Sequence, residues 1–394
     1  MIFEKPFTQQ EAIPDEGINR AVEILKTGRL HRYNLVEGED SEASLLEKEY
    51  ATYQDADFCL ACTSGGYAIA LGLRVVGVKP GDKVLANAYT LAPVPGAIHN
   101  VGATPVLIEI DENYHIDCDD LAAKAEASGA KVLLLSHMRG HIADMDRIMA
   151  ICDEFDITLV EDCAHTMGAS WRGIKSGNFG KVAAFSTQTY KHMNSGEGGF
   201  LTTNDPEVAA RATVSSGSYM LYGRHGAIPD EDVFQKVRLE SPNYSGRMDH
   251  LRASILRAQL PNLDENVRRW NSLYDSLHQR FSAMEGVVIP SRKQEEFYVG
   301  SSIQFRAEKL SKEQIPQFLK ACAGRGVELK WFGEDEPKAF TSRYDSWAYI
   351  DDIPHLPKTL DVLSKTVDMR VPLTFDEKDC ALIADIIEDE LSKF

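Results

Sequence analysis

The stretch FSTQTYKHMNSGEGGFL, residues 185–201, holds the end of one strand, a polar loop with a single lysine, and the start of a second strand. The apolar run at residues 182–185 and the glycine-flanked run at residues 199–203 are typical of buried strands. The lysine between them, Lys191, has no acidic residue within five positions. Such an amine is either solvated, which is the usual case, or kept for Schiff-base chemistry, which needs a partly desolvated amine.

The residues before this stretch alternate between short apolar runs and helical patterns. Near-continuous apolar strands between helices are what a sheet covered on both faces requires, so the pattern predicts an α/β domain with a largely parallel sheet. Helix-like segments lie at residues 119–128 and 143–155. The seven predicted strands span residues 58–61, 83–86, 105–110, 131–136, 157–160, 182–185 and 199–203.

In such sheets ligands bind at the loops beyond the carboxyl ends of the strands, so the residues that follow each run are informative. After the first run, CTSGGYAIALGL places Ser64, Gly65 and Gly66 before a helix. This arrangement either caps the helix or points backbone N–H groups at an anion. Tyr89 follows the second run, where an aromatic side chain either belongs to the core or stacks on a flat ligand.

Asp162 and His165 follow the run at residues 157–160. A carboxylate directly after a buried strand is costly unless a cation meets it. That cation is either a local cap or arginine, or the protonated ring nitrogen of a pyridine cofactor, which then acts as an electron sink. An anion-binding turn, the acid Asp162 and the amine Lys191 together are the groups that pyridoxal phosphate needs.

The composition narrows the class of partner. A length of 394 residues allows two domains, and a net charge of −18 with a pI near 5.1 argues against nucleic acid or an anionic membrane. The N-terminus has neither the basic start nor the apolar run of a signal peptide, so we expect a cytoplasmic protein. Seven cysteines in mostly apolar surroundings indicate reduced thiols, and because the Cys59–Cys62 pair has no second pair, we expect no metal.

Six ordered motifs resemble the sugar aminotransferases of the DegT/DnrJ/StrS family: TSGGYAIAL, PGDKVLANAYTLAP, GATPVLIEID, ADMDRI, VEDCAHTMGA and AFSTQTYKHMNSGEGGFL. The resemblance covers roughly residues 15–265, and RVPLTFDEKDCALIADII extends it more loosely to the C-terminus. It implies a large domain of the aspartate-aminotransferase type (fold type I), pyridoxal 5′-phosphate as the cofactor, and a homodimer with shared active sites.

The resemblance also implies roles for single residues. Lys191 would hold the cofactor as a Schiff base and move the substrate proton, Asp162 would pair with the pyridine nitrogen, and His165 would lie near the ring. The remaining cofactor-binding residues would be Tyr89, stacked on the ring, and Ser64, Gly65, Gly66 and Ser186, which would hold the phosphate.

Four further residues stay open at this stage. Asn243 or Ser245 would reach the phosphate of the other subunit, and the family pattern does not decide between them. Arg139, in the basic loop HMRGH, either faces a substrate carboxylate or phosphate or is an ordinary surface arginine. Trp331 lies where a sugar would approach, although such aromatic residues usually pack on their own domain.

The C-terminal residues predict a second, smaller unit. A helix at residues 267–283, strands near Val287 and at 301–305, a helix at 312–323 and a terminal helix are typical of an α+β domain. We therefore expect a large cofactor-binding domain at residues 1–265 and a small domain at residues 266–394.

The function that the resemblance implies is amino transfer from glutamate to a keto-sugar, in amino-sugar and surface polysaccharide (lipopolysaccharide) biosynthesis. The acceptor would be nucleotide-linked, or a free sugar acid such as a Kdo-type octulosonate aminated at C8. Two alternatives remain. One is a sugar dehydratase with the same cofactor, a subgroup that carries His where this chain has Lys191. The other is a non-catalytic regulator that binds pyridoxal phosphate.

Overall fold

The computed structural model describes residues 1–394. The helices are α1 Asp15–Thr27, α2 Glu42–Gln54, α3 Gly65–Val75, α4 Pro93–Asn100, α5 Cys118–Ser128, α6 Met145–Phe155, α7 Pro206–Thr213, α8 Glu231–Val237, α9 His250–Gln259, α10 Leu263–Ser282, α11 Gln314–Gly324, α12 Pro357–Lys365 and α13 Glu377–Leu391. The strands are β1 Phe58–Cys62, β2 Lys83–Asn87, β3 Thr104–Ile108, β4 Val132–Ser136, β5 Thr158–Asp162, β6 Ser170–Trp171, β7 Ile174–Lys175, β8 Val182–Ser186, β9 Gly199–Thr203, β10 Val287–Val288, β11 Glu296–Phe297, β12 Ser302–Ala307, β13 Lys330–Trp331 and β14 Thr366–Arg370.

The seven strands expected from the sequence form one sheet, in the order β1-β9-β8-β5-β4-β2-β3. Strands β3, β2, β4, β5 and β8 run parallel, whereas β9 pairs antiparallel with both β8 and β1. The predicted α/β fold with a largely parallel sheet is therefore confirmed.

The strands are apolar along their length because helices cover both faces of this sheet. Successive residues of a strand point to opposite faces, so Leu85 packs into one core and its neighbours Val84 and Ala86 pack into the other. No position in the middle of β2 can therefore be polar without burying an unpaired group. The carboxyl ends of the parallel strands leave one edge of the sheet for polar side chains.

A second core surrounds an antiparallel four-stranded sheet, in the order β10-β12-β14-β13. Helix α10 joins the two cores, since Val267 near its start packs against the first and Phe281 near its end packs against the second. Phe3 and Phe7, far away in sequence, also pack into the second core. The domain boundary at residue 265 falls inside α10 and stays a prediction. No helix of the protein has the length and apolar character needed to cross a membrane.

Candidate active site

Three neighbouring strands deliver polar side chains to the same edge of the large sheet. Strands β4, β5 and β8 end at Ser136, Asp162 and Ser186, and the register of the sheet pairs Ser136 with Asp162. Because parallel strands end at the same edge, residues far apart in sequence become neighbours here. The chain runs on from β8 into the loop that carries Lys191.

Two hydrogen bonds from neighbouring residues fix the orientation of the Asp162 carboxylate. Its Oδ2 accepts from Ser136 Oγ at 2.8 Å, and its Oδ1 accepts from the backbone N–H of Ala164 at 3.1 Å. Ser136 Oγ in turn accepts from Thr90 Oγ1 at 2.8 Å. The carboxylate is buried, yet two bonds leave part of its acceptor capacity free. It can therefore meet a cation that enters from the cavity.

The Lys191 amine lies against a histidine that lines the same cavity. Its Nζ is 2.8 Å from His165 Nε2. Burial is the main cause that lowers the pKa of Lys191 from 10.5 to about 7; the charges of Arg139 and Arg370 also lower this pKa, and Asp162 opposes them. Burial also holds the pKa of His165 well below its usual value, so its ring is neutral and can accept a hydrogen bond at Nε2. Near neutral pH the lysine is thus available as a free amine.

Helix α3 begins at the same edge and supplies an anion site. Ser64 caps the helix, since its Oγ accepts from the N–H of Tyr67 at 3.0 Å, which leaves the N–H groups of Gly65 and Gly66 without an intrahelical partner. A Cβ on Gly65 would lie 2.8 Å from the Cβ of Ser186, so only glycine allows α3 to start this close to β8. Free N–H groups and the helix dipole together favour a phosphate here.

One cavity of about 500 Å³ brings these groups together. Eight of the residues predicted from the sequence line it: Ser64, Gly65, Gly66, Arg139, Asp162, His165, Ser186 and Lys191. An anion site at one end, a carboxylate on the sheet side and an amine of low pKa are the three groups that pyridoxal phosphate requires. The residues present therefore fit this cofactor.

Tyr89 is not among the residues that line the cavity. Its ring is buried, with its centre 5.1 Å from that of Phe332 and 5.4 Å from that of Tyr114. The expectation that it stacks on the cofactor is wrong for this structure, because strand β2 ends at Asn87 and the bent backbone beyond it no longer alternates its side chains. Leu91, two residues further on, lines the cavity instead.

Trp331 also lies away from the cavity. It forms the end of β13 and is buried in the core of the second unit, and its indole N–H donates to the carbonyl oxygen of Ser364 at 2.9 Å. The expectation of a substrate contact is therefore corrected, since the packing of its own unit accounts for both the ring and the N–H. Phe340, nine residues later, is the aromatic residue of this region that lines the cavity.

Arg139 is not a surface arginine. Only 7% of the side chain is exposed, and the residue lines the cavity beside His165. The sequence left both interpretations of Arg139 open, because the residues of a basic loop do not indicate where its side chains point. Asn243 and Ser245, in contrast, are exposed and lie outside this cavity. Asn243 Oδ1 accepts from the N–H of Ser245 at 2.9 Å.

Sequence reasoning missed several residues of the cavity wall, among them four with polar side chains. Ser136 ends a predicted strand, so the rule that pointed to Asp162 would also have found it. Arg370 carries a weaker signal, as the last residue of β14 and the first residue of the quoted segment RVPLTFDEKDCALIADII. Gln188 and Tyr190, on the lysine loop, have no signal beyond their nearness to Lys191.

The comparisons with known proteins agree with this geometry. The family model described as the DegT/DnrJ/EryC1/StrS aminotransferase family matches residues 12–364. The chain belongs to this family. Its members are pyridoxal-phosphate-dependent transaminases, and the chain is therefore such an enzyme, as the resemblance implied.

Single relatives within the family have different printed activities. The 3-amino-5-hydroxybenzoate synthase of Amycolatopsis mediterranei is 33% identical over 275 residues, which cover 70% of this chain and 67% of the relative. The dTDP-3-amino-3,4,6-trideoxy-alpha-D-glucose transaminase of Streptomyces venezuelae is 29% identical over 316 residues, or 77% and 79% of the two chains. A crystal structure of 3-amino-5-hydroxybenzoic acid synthase superposes over 100% of both chains, with a TM-score of 0.85 and 26% identity. The family is shared, but its members differ in the molecules named as their products.

Proposed function

We propose that this transaminase moves an amino group from glutamate to a keto-sugar. The observation that carries the proposal is the Lys191 amine of low pKa, 2.8 Å from a neutral His165, in the same cavity as Asp162. The acceptor is a nucleotide-linked keto-sugar or a free sugar acid such as an 8-keto Kdo-type octulosonate. Its product enters amino-sugar and surface polysaccharide biosynthesis, lipopolysaccharide included.

Each residue of the site has a separate task. When bound, pyridoxal phosphate supplies a cationic ring that takes up the electrons released when a proton leaves the substrate carbon. Asp162, oriented by Ser136, would stabilise a positive charge at the ring nitrogen. Lys191 takes and returns the proton at Nζ, for which a pKa of about 7 is well placed at neutral pH. The neutral His165 ring accepts a hydrogen bond from that amine and keeps it directed into the cavity.

The groups that would bind the phosphate of the cofactor are uncharged. The free N–H groups at the start of α3 and the Ser186 hydroxyl line the same cavity as Lys191. A protein with a net charge of −18 repels an anionic ligand at long range, so these local donors have to supply the affinity. Gly65 is essential to this arrangement because it lets the helix approach β8.

The enzyme acts as a homodimer in which Asn243 or Ser245 of one subunit reaches the phosphate in the other. Both side chains are exposed in the single chain, and Ser245 has a φ of +54°, a left-handed conformation that costs about 1 kcal/mol or more in a residue other than glycine. Exposed apolar side chains lie beside them, among them Tyr219 at 63% and Tyr244 at 40%. An exposed surface that combines a strained polar residue with apolar side chains supports a dimer interface that contributes to the phosphate site.

The reducing environment of the cytoplasm suits the cysteines. All seven are buried and unpaired, and burial raises the pKa of thiols such as Cys59 and Cys163 well above the usual value. Free buried thiols of this kind belong to proteins kept under reducing conditions. The buried free thiols therefore support a location of the reaction in the cytoplasm.

The half-reaction with glutamate tests the function directly. The purified protein is loaded with pyridoxal phosphate, glutamate is added, and the loss of the cofactor's visible absorbance band is followed. A panel of keto-sugars, both nucleotide-linked and free acids, is then supplied to restore the band. Lys191→Ala should abolish both changes. The control Lys181→Ala replaces an exposed lysine directly before β8 and should leave both changes intact. A protein that holds the cofactor but shows no change with glutamate would be a regulator, and the proposal would fail.

A further inference from the structure

Two arginines from different units of the protein line the cavity. Arg139 lies in the loop after β4 of the large sheet, and Arg370 is the last residue of β14 in the second sheet. Both contact Phe340, whose ring centre is 4.6 Å from the Arg139 guanidinium carbon and 5.2 Å from that of Arg370. The two cations are therefore neighbours across one wall of the site.

Arg139 is held from behind by buried polar groups. Its Nη2 donates to Oδ2 of Asp368 at 2.9 Å, and Asp368 Oδ1 accepts from Gln304 Nε2 at 2.7 Å. Gln304 Oε1 lies 2.8 Å from His141 Nε2. Asp368 is fully buried, so this chain of bonds fixes the guanidinium with little freedom to turn. Arg139 Nε is buried without any partner, which leaves donor capacity on the guanidinium unused.

Arg370 has no carboxylate of its own. No Asp or Glu oxygen lies within 4.0 Å of its guanidinium, and its neighbours are the rings of Tyr190, at 3.9 Å, and Phe340. Burial is the main cause that lowers the pKa of Arg370, and the charge of Arg139 lowers it further. Of the two adjacent guanidinium groups only that of Arg139 has a carboxylate partner, Asp368, so together they make the wall of the cavity positive. Desolvated like charges of this kind are costly unless an anion joins them.

The anion belongs at the reactive end of the cavity. Both arginines lie close enough to the Lys191 amine to lower its pKa, whereas the phosphate of the cofactor has its own donors at the start of α3. The carboxylate of an amino acid, or of a sugar acid, lies within a few bonds of the reacting carbon. The diphosphate of a nucleotide-linked sugar lies beyond the sugar ring, farther from the amine. The position therefore favours a carboxylate.

We infer that Arg139 and Arg370 form a subsite for a substrate carboxylate, with Asp368 as the residue that positions Arg139. A planar guanidinium matches a carboxylate with two parallel hydrogen bonds, so the pair recognises the group by shape as well as charge. The inference rests on the aminotransferase function proposed above. The carboxylate comes either from the donor amino acid or from the acceptor sugar acid, and binding measurements separate the two sources.

The test measures binding to the cofactor-loaded protein by calorimetry, with glutarate as a probe of the donor skeleton and gluconate as a probe of the sugar-acid skeleton. The variants are Arg139→Gln and Arg370→Gln. The control is Arg306→Gln, which changes an arginine on β12 of the same sheet that pairs with Glu308 and does not line the cavity. The visible absorbance of the bound cofactor verifies that each variant is folded and loaded.

Each cavity variant should weaken at least one probe by about 10-fold or more, the effect of losing a charge-assisted bond, and the control should not. A loss confined to glutarate assigns the subsite to the donor, and a loss confined to gluconate assigns it to the acceptor. Unchanged binding of both probes in both variants overturns the inference, as does a wild-type protein that binds neither. Because heat of binding needs no turnover, this result stands even if no keto-sugar is aminated.

Discussion

The low pKa of Lys191 predicts that this lysine destabilises the protein in the absence of cofactor. A group whose pKa falls on folding binds fewer protons in the folded state than in the unfolded state, so folding is penalised wherever the unfolded lysine is charged. For Lys191 the pKa falls from 10.5 to about 7, a difference of about 3.5. At 1.36 kcal/mol for each pKa unit the full penalty is about 5 kcal/mol, and because the side chain is only half-buried we expect about 3 to 5 kcal/mol.

Lys191→Met removes the charge and keeps the length of the side chain. The penalty is fully present below pH 7 and fades as the pH rises towards 10.5, since the unfolded lysine then loses its proton as well. The free energy of unfolding of the variant should therefore exceed that of the wild type by the largest amount at pH 6 to 7. This advantage should shrink by about 3 to 5 kcal/mol by pH 10.

Urea unfolding of the two cofactor-free proteins, at one fixed protein concentration between pH 6 and 10, measures this difference. The control is Lys358→Met. The Lys358 ammonium donates to Asp117 at 2.7 Å, a bond that raises its pKa above 10.5, so its replacement should change the free energy of unfolding by an amount that stays constant between pH 6 and 10. A difference between Lys191→Met and wild type that stays constant across this pH range would show that the amine is not desolvated, and the argument for its role near neutral pH would fail.

Two substitutions test the supports of the site. Asp368→Ala leaves the buried Arg139 without its carboxylate partner and should lower the free energy of unfolding by about 3 kcal/mol or more. Urea unfolding measures this loss, and a loss below about 1 kcal/mol would contradict a buried ion pair. Gly65→Ala places a Cβ 2.8 Å from that of Ser186, so we expect a lower melting temperature and weaker binding of pyridoxal phosphate in a fluorescence titration. Gly324→Ala, in a helix with no atom within 4 Å of the new Cβ, is the matched control and should be neutral or slightly stabilising. Equal effects of the two glycine changes would refute the close approach of α3 to β8.

The chemical part of the site was predictable because it follows the ends of strands. Ser186 and Asp162 end β8 and β5, and Ser64 caps the helix that follows β1, so an apolar run in the sequence locates each of them. Parallel pairing then brings such residues to one edge whatever their separation along the chain. The loop lysine needed the resemblance as well, since a lone lysine in a polar loop has no periodic signal.

The direction of a side chain beyond a strand was not predictable in the same way. Tyr89 and Leu91 lie in one short bend after β2, where the tyrosine packs against Tyr114 and Phe332 and the leucine lines the cavity. The alternation of side chains along a strand does not predict these directions. The direction of the Trp331 side chain was not predictable either, because it depends on a hydrogen bond to Ser364, a residue 33 positions away in the same unit.

The sequence by itself determined the α/β fold, the family and the cofactor, and it pointed to most of the polar residues that line the cavity. These depend on local patterns, namely apolar runs, a helix cap, and an acid and an amine just after strands. Only the tertiary structure decided that Arg139 is buried and that Arg370 joins it. The two arginines are 231 positions apart in the chain and meet because strand β14 of the second sheet ends at the cavity of the first. Contacts between separate units depend on how two surfaces fit together, and no local pattern of residues records that fit.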